Sequence, residues 1–139
     1  MKRALVDINV ILDILLDRKP HVQASGRLWA AIEKGRAEGL LAAHGVTTLH
    51  YLLRRERGAA VARRAMEDIL RVLKVAPVDG EVIHRALALA WTDFGDAVSA
   101  AAAEAAQCDA LITGDPRGFP NSPVPVLTPE AATARLAGL

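Results

Sequence analysis

Cysteine occurs once, at Cys108, which excludes an internal disulfide and any zinc cluster built on cysteines. The stretch around it is largely apolar, so it reads as a buried structural thiol rather than a nucleophile. Aromatic residues make up only 4% of the chain, too few for a platform on which nucleic-acid bases could stack. A long hydrophobic run is also missing: Val10 to Leu16 is broken by Asp13 and is far too short to cross a bilayer. No signal-peptide pattern is visible, and the expectation is a cytoplasmic protein without a membrane partner. Charge of one sign is not in excess. A formal net charge of +1 sets up no global basic field, so any affinity for nucleic acid has to come from a local surface.

Several motifs are absent as well. There is no Walker sequence and no dinucleotide fingerprint. Asp93-Phe94-Gly95 repeats a kinase tripeptide by coincidence, since the chain is short and lacks the glycine-rich loop and the catalytic-loop motif. A phospho-receiver domain needs an acceptor aspartate near mid-chain and a late lysine, yet no Asp lies between Asp17 and Asp68 and no Lys follows Lys74. The missing lysine also argues against a haloacid-dehalogenase-type phosphatase, as does Asn9 where a second aspartate would stand.

What is present is a chain of 139 residues, the length of one domain, with 52% hydrophobic content, enough for a sizeable core. Apolar runs suited to buried strands alternate with helical spacing. Residues 3–6 predict a strand, and Ile8 to Leu16 a helix ended by Lys19-Pro20. A second helix is expected over Val22 to Arg36, with Leu28, Trp29 and Ile32 inward, and a strand over Leu40 to Ala43. Thr47 is a candidate cap for the helix carrying Leu49, Leu52 and Leu53. Beyond Gly58, the residues Ala62, Ala65, Met66, Ile69, Leu70 and Leu73 form one apolar face. Val75-Ala76 is a short strand candidate, and Asp79 can cap a helix that buries Val82, Ile83, Ala86, Leu87 and Ala90. The alanine-rich segment Asp96 to Ala106 predicts a helix able to lie close to a sheet. Residues 110–113 and 124–127 are strand candidates, and Thr128-Pro129 opens a final helix. The fold class is α/β, a single domain over residues 1–139 with a short parallel sheet flanked by helices.

Four acids sit at the ends of apolar runs or beside them: Asp7, Asp93, Asp96 and Asp115. In a parallel α/β sheet, residues just past the strand ends gather at one edge. Carboxylates collected there repel one another unless a cation offsets the repulsion, and hard oxygen donors suit Mg²⁺ or Mn²⁺. Each acid also has a structural alternative. Asp7 and Asp93 can cap the helices that follow, Asp96 can complement a helix dipole, and Asp115 before Pro116 can be a turn residue. All four doing only that, in this order, is the weaker explanation.

Leu5-Val6-Asp7-Ile8-Asn9-Val10-Ile11-Leu12, then Asp93-Phe94-Gly95-Asp96-Ala97, then Leu111-Ile112-Thr113-Gly114-Asp115 with Phe119 and Pro125-Val126-Leu127-Thr128-Pro129, resemble the PIN-domain nucleases. The likeness is strongest to the small VapC-type toxin ribonucleases and covers nearly the whole chain in order. It implies a PIN-like domain hydrolysing RNA phosphodiesters with Mg²⁺ or Mn²⁺. Asp7, Asp96 and Asp115 would be the catalytic metal-site carboxylates, Asn9 a polar group orienting Asp7 or a water, Thr113 a hydroxyl donor to the site, and Asp93 a supporting acid. A cognate antitoxin protein and a homodimer are the implied partners, beside the RNA substrate.

One departure stands out. Family members place a glutamate on the helix after the second strand, where this chain has Thr47-Thr48-Leu49-His50. Neutral imidazole ligates Mn²⁺ but is a poor ligand for Mg²⁺, so His50 implies fewer ions, a Mn²⁺ preference or a weakened site. The other reading of His50 is a helix-surface residue. A different class of function follows from a weakened site: a PIN-fold RNA-binding or protein-interaction module. Arg54, Arg55 and Arg57 open the densest basic stretch and are candidate RNA-backbone contacts, whereas Arg63, Glu67 and Arg71 are spaced for intrahelical pairs.

Overall fold

Every central strand is buried on both faces, which explains why the strands read as short continuous apolar runs. In the computed structural model, which describes residues 1–137, five parallel strands form one sheet in the order β3-β2-β1-β4-β5. They are β1 (Arg3–Val6), β2 (Glu38–Ala42), β3 (Lys74–Ala76), β4 (Ala110–Ile112) and β5 (Val126–Leu127). Leu5 pairs in register with Leu40 on one side and Leu111 on the other, so β1 lies at the centre.

Among the described residues seven α-helices cover the two faces: α1 (Ile8–Leu15), α2 (His21–Glu33), α3 (Ala43–Arg57), α4 (Ala59–Val72), α5 (Gly80–Leu89), α6 (Phe94–Ala105) and α7 (Pro129–Ala137). Strand alternation divides the core. Ala4, Val6, Leu41 and Ile112 pack with α1 to α4 and α7, whereas Leu5, Leu40, Ala42, Ala76 and Leu111 pack with α5 and α6. On the second face α6 offers Ala97, Ala100, Ala101, Ala102 and Ala103, all buried, and lies close to the sheet as small side chains permit. Cys108 is buried in this layer, and burial pushes its thiol up to about 11, which keeps it protonated and inert. Among the described residues no helix is long and apolar enough to cross a membrane.

Several helix starts follow from their caps. Asp79 accepts from the Val82 amide at 3.0 Å, and Thr128 from the Ala131 amide at 3.1 Å. Asp93 accepts from the Asp96 amide as the expected cap, so α6 begins at Phe94, ahead of the alanine-rich stretch, with Asp96 in its first turn. The start of α3 differs more. β2 ends at Ala42 and runs directly into the helix, so Thr47 lies inside α3 and its hydroxyl donates to the His44 carbonyl at 3.1 Å. Gly45 breaks nothing: a Cβ there would stand 2.9 Å from the Ile8 methyl, so the glycine allows α1 and α3 to meet. Gly58 is the true break, with φ of 89° between α3 and α4. Leu70 and Leu87, expected inward, are exposed, so their apolar stripes are narrower than the spacing suggests.

Candidate active site

The carboxyl ends of β1, β4 and β2 meet at one edge, and the side chains that follow them define the site. Asp7 comes directly after β1, and its amide donates to the Ile112 carbonyl at 2.9 Å, locking it to β4. It occupies the N-cap position of α1 without capping it by its side chain. Its carboxylate instead accepts from the buried Thr113 hydroxyl at 2.8 Å. Thr113 Oγ1 in turn accepts from the Asp115 amide at 3.2 Å. One threonine therefore ties the residues at two strand ends together.

Asp96 enters from the first turn of α6, set by the Asp93 cap. Its carboxyl is raised to about 6, first by burial and then by the charges of Asp93, Asp7 and Asp115. Burial likewise raises Asp7, opposed by hydrogen bonding to Thr113 and then by Asn9. Convergence at the far side is marked by Gly118. A Cβ on it would lie 3.4 Å from Asp96 Oδ2 and 3.9 Å from Asp115 Oδ2. Asp115 is well exposed, with Arg117 Nε 3.9 Å away.

Two adjoining depressions share Asp7 and Asn9. One, of about 600 Å³, also takes in Thr113, Gly114 and Asp115. The other, of about 230 Å³, is lined by Asp93, Asp96, His44, Thr48 and Ser99 as well. Among the described residues, no three Asp, Glu, His or Cys side chains close tightly enough on one point to ligate an ion together as they stand. The acids border a shared space instead. That arrangement fits Mg²⁺ or Mn²⁺ held by one or two carboxylates with water completing the shell. The raised Asp96 carboxyl shows the negative charge such an ion would neutralise.

Asp7, Asn9, Thr113, Asp93, Asp96 and Asp115 are thus brought together. His50 is not with them. It lines a separate depression with Tyr51, Arg54 and Arg55, and shares no wall with the acids. The α3 residues that do face the site are His44 and Thr48, six and two residues before His50. Because α3 starts at Ala43 rather than near Thr47, its acid-facing side falls earlier in the sequence than the Thr47-to-His50 spacing implies. Arg54, Arg55 and Arg57 occupy the last turn of α3, where cations complement the helix dipole.

His44 was not singled out by the sequence, although it follows the apolar run Leu40–Ala43 as Asp7 follows β1. Its Nε2 lies 3.0 Å from the Gly95 carbonyl and 3.4 Å from Ser99 Oγ, bridging α3 to the first turn of α6. A carbonyl only accepts, so Nε2 carries the proton, and Nδ1 is left buried without a hydrogen-bond partner. Asp13, Arg18, Lys19 and His21 line the larger depression and were likewise unassigned. Asp13 is buried, and burial raises its carboxyl against the pull of Arg18 and then His21.

The family model described as PIN domain matches residues 3–117. Comparison with curated protein sequences finds no match. Solved structures share the fold at low identity. VapC20 of Mycobacterium tuberculosis, a sarcin-ricin loop cleaving toxin, superposes with a TM-score of 0.64 at 21% identity over 78% of this chain and 86% of that one. A toxin–antitoxin complex from Klebsiella pneumoniae gives 0.68 and 19% over 91% and 97%. FitAcB from Neisseria gonorrhoeae gives 0.69 and 20% over 91% and 97%.

Proposed function

Since this chain belongs to the PIN-domain family, we propose that it is a divalent-metal-dependent ribonuclease, the toxin of a toxin–antitoxin pair, acting in the cytoplasm on RNA. The observation that carries this reading is the convergence of Asp7, Asp96 and Asp115 on one edge, with the Asp96 carboxyl raised to about 6 by burial and by its neighbours' charge. Asp7, Asp96 and Asp115 would hold Mg²⁺ or Mn²⁺. When bound, such an ion supplies an acidified water and neutralises charge on the scissile phosphate.

The protein's own contribution is placement. Thr113 holds Asp7 and receives the Asp115 amide, so two strand ends keep a fixed separation. Asp93 fixes the first turn of α6 and thereby Asp96. Asn9, shared by both depressions, presents a neutral amide that can orient a water or a phosphate oxygen without adding charge. The solved relatives include a toxin–antitoxin complex, which supports an antitoxin partner for this chain, and a homodimer belongs to the same reading.

Single-stranded RNA incubated with the purified protein and Mn²⁺ or Mg²⁺ should be hydrolysed, with cleavage stopped by EDTA and by Asp96→Asn. Intact RNA in every divalent ion would end the nuclease reading. A second reading has one observation in its favour: α3 turns His44 and Thr48, but no carboxylate, toward the site. A module that only binds RNA or protein would retain its ligand in EDTA and cleave nothing.

A further inference from the structure

A polyanion approaching a carboxylate cluster is repelled, so a nuclease site needs positive charge close to its acids. Sequence density points to Arg54, Arg55 and Arg57, but the depression that Arg54 and Arg55 border shares no residue with either acidic depression, and Arg57 lines neither of those two. The cations that share a wall with Asp7 and Asp115 lie in the loop between α1 and α2.

We propose that Arg18 and Lys19 form the seat for an RNA phosphate next to the scissile one, within the depression of about 600 Å³ that Asp7 and Asp115 also line. This rests on the ribonuclease reading and deepens it by assigning where the RNA backbone lies.

The loop is built to present these side chains. The Arg18 amide donates to the Asp13 carbonyl at 2.9 Å, and the Arg18 carbonyl accepts from Val22 at 2.8 Å, tying the loop to α1 and α2. Arg18 Nη1 stands 3.6 Å from Asp13 Oδ1 while its side chain keeps 40% exposure. A guanidinium has five donors in a planar fork, so one loose contact with Asp13 leaves the rest for phosphate oxygens. A buried carboxylate on an otherwise apolar helix face is costly. At Asp13 that cost is offset in part by Arg18, whose guanidinium the carboxylate keeps at the rim. Lys19 is exposed, and among the described residues it enters no ion pair. The start of α2 at His21 adds no negative charge to the wall: its first turn has no acidic residue and no side-chain cap.

Kinetics on a labelled single-stranded RNA with Mn²⁺ test the seat, alongside equilibrium binding of the same RNA by Asp96→Asn protein. Lys19→Gln, which breaks no contact within the fold, should raise KM about three- to tenfold with kcat within about twofold, and lower the salt slope of binding by about 0.7. Arg18→Lys keeps a cation beside Asp13 but loses the fork, and combined with Lys19→Gln it should weaken binding further. Normal cleavage with unaltered affinity and salt slope in that double variant would overturn the seat and leave the nuclease reading intact. No cleavage by wild type, with binding that still depends on Lys19, would end the nuclease reading and keep the seat. Loss of both cleavage and binding in wild type overturns both. A larger loss from combined Arg54, Arg55 and Arg57 substitutions than from the double variant would move the backbone path to α3. An acidic peptide that outcompetes RNA in wild type, but not in Lys19→Gln, would reassign the wall to a protein partner.

Discussion

Charge at the carboxyl edge of the sheet and charge on the α3–α4 pair obey opposite rules. At the edge, Asp7 and Asp13 are buried, Asp96 is crowded by three other carboxylates, and all three acids are raised. On α4, Arg63 pairs with Glu67 at 3.2 Å and Arg71 with Asp68 at 2.9 Å, all well exposed. The second pattern is a solvated helix face, where each pair contributes about 0.2–1 kcal/mol. The first lowers stability of the metal-free protein, and a fold retains such crowding where it serves chemistry.

The sharpest way to break this comparison is to remove charge from the edge. Asp96→Asn should lower kcat by at least about 10²-fold, the scale of one removed electrostatic group in an active site. In EDTA at neutral pH the same variant should melt higher than wild type by roughly 2–6 °C, since it relieves repulsion. Cleavage at the wild-type rate would remove Asp96 from the reaction.

Thr113→Val comes next. It deprives the buried Asp7 carboxylate of its 2.8 Å partner, which should cost about 1–3 kcal/mol in a denaturant titration. Losing a hydrogen bond that favours the charged form raises the Asp7 carboxyl further, so the acidic limb of the pH–rate profile should move to higher pH. An unshifted limb would show that Asp7 does not govern it.

The pH dependence of metal-free stability separates the two regions more finely. Asp96 rises from 3.8 to about 6 on folding, so its contribution is fully present below about pH 4 and is lost as pH climbs through 6. Wild type in EDTA should therefore lose melting temperature mainly between about pH 4 and 6 relative to Asp96→Asn. Mn²⁺ affinity should also fall below pH 6, because a proton then competes for the carboxylate. Parallel curves for the two proteins would contradict the shift.

The smallest effects belong to α3 and α4. His50→Glu should leave the Mn²⁺-to-Mg²⁺ preference within about twofold, because His50 borders Tyr51, Arg54 and Arg55 rather than the acids. A clear shift toward Mg²⁺ would put it back in the site. Arg63→Gln should alter stability by less than about 0.5 kcal/mol.

Most of the sheet and the three acids were legible because strand ends are marked by a change from apolar to polar residues. Asp7 and Asp115 follow that rule, whereas Asp93 is marked as a cap ahead of the alanine-rich helix and Asp96 lies in that helix's first turn. The start of α3 was not legible. Gly45 looks like a break, yet its missing side chain makes room for Ile8, and the helix begins with no capping residue at all. His50 stands out in the sequence through its likeness in position to the family's glutamate, whereas His44, inside the first turn of an uncapped helix, carries no such mark. Arg18 and Lys19 escaped notice for a different reason: sequence density counts neighbours along the chain, whereas a shared depression depends on which loops the sheet brings together.

The alanine face of α6 has a mechanical meaning. Large side chains key a helix against its sheet like gear teeth, but the buried face of α6 is alanine at Ala97, Ala100, Ala101 and Ala103, with Val98 its one larger buried side chain. Pins at its two ends set the shaft's position instead: Arg3 Nη1 on the Ala106 carbonyl at one, and the Asp93 cap with the His44 contact to the Gly95 carbonyl at the other. The last two lie at the site. Both flank Asp96. The alignment tolerance of that carboxylate is therefore set within one turn of itself, by hydrogen bonds of 2.9 and 3.0 Å, while the rest of the helix supplies stiffness.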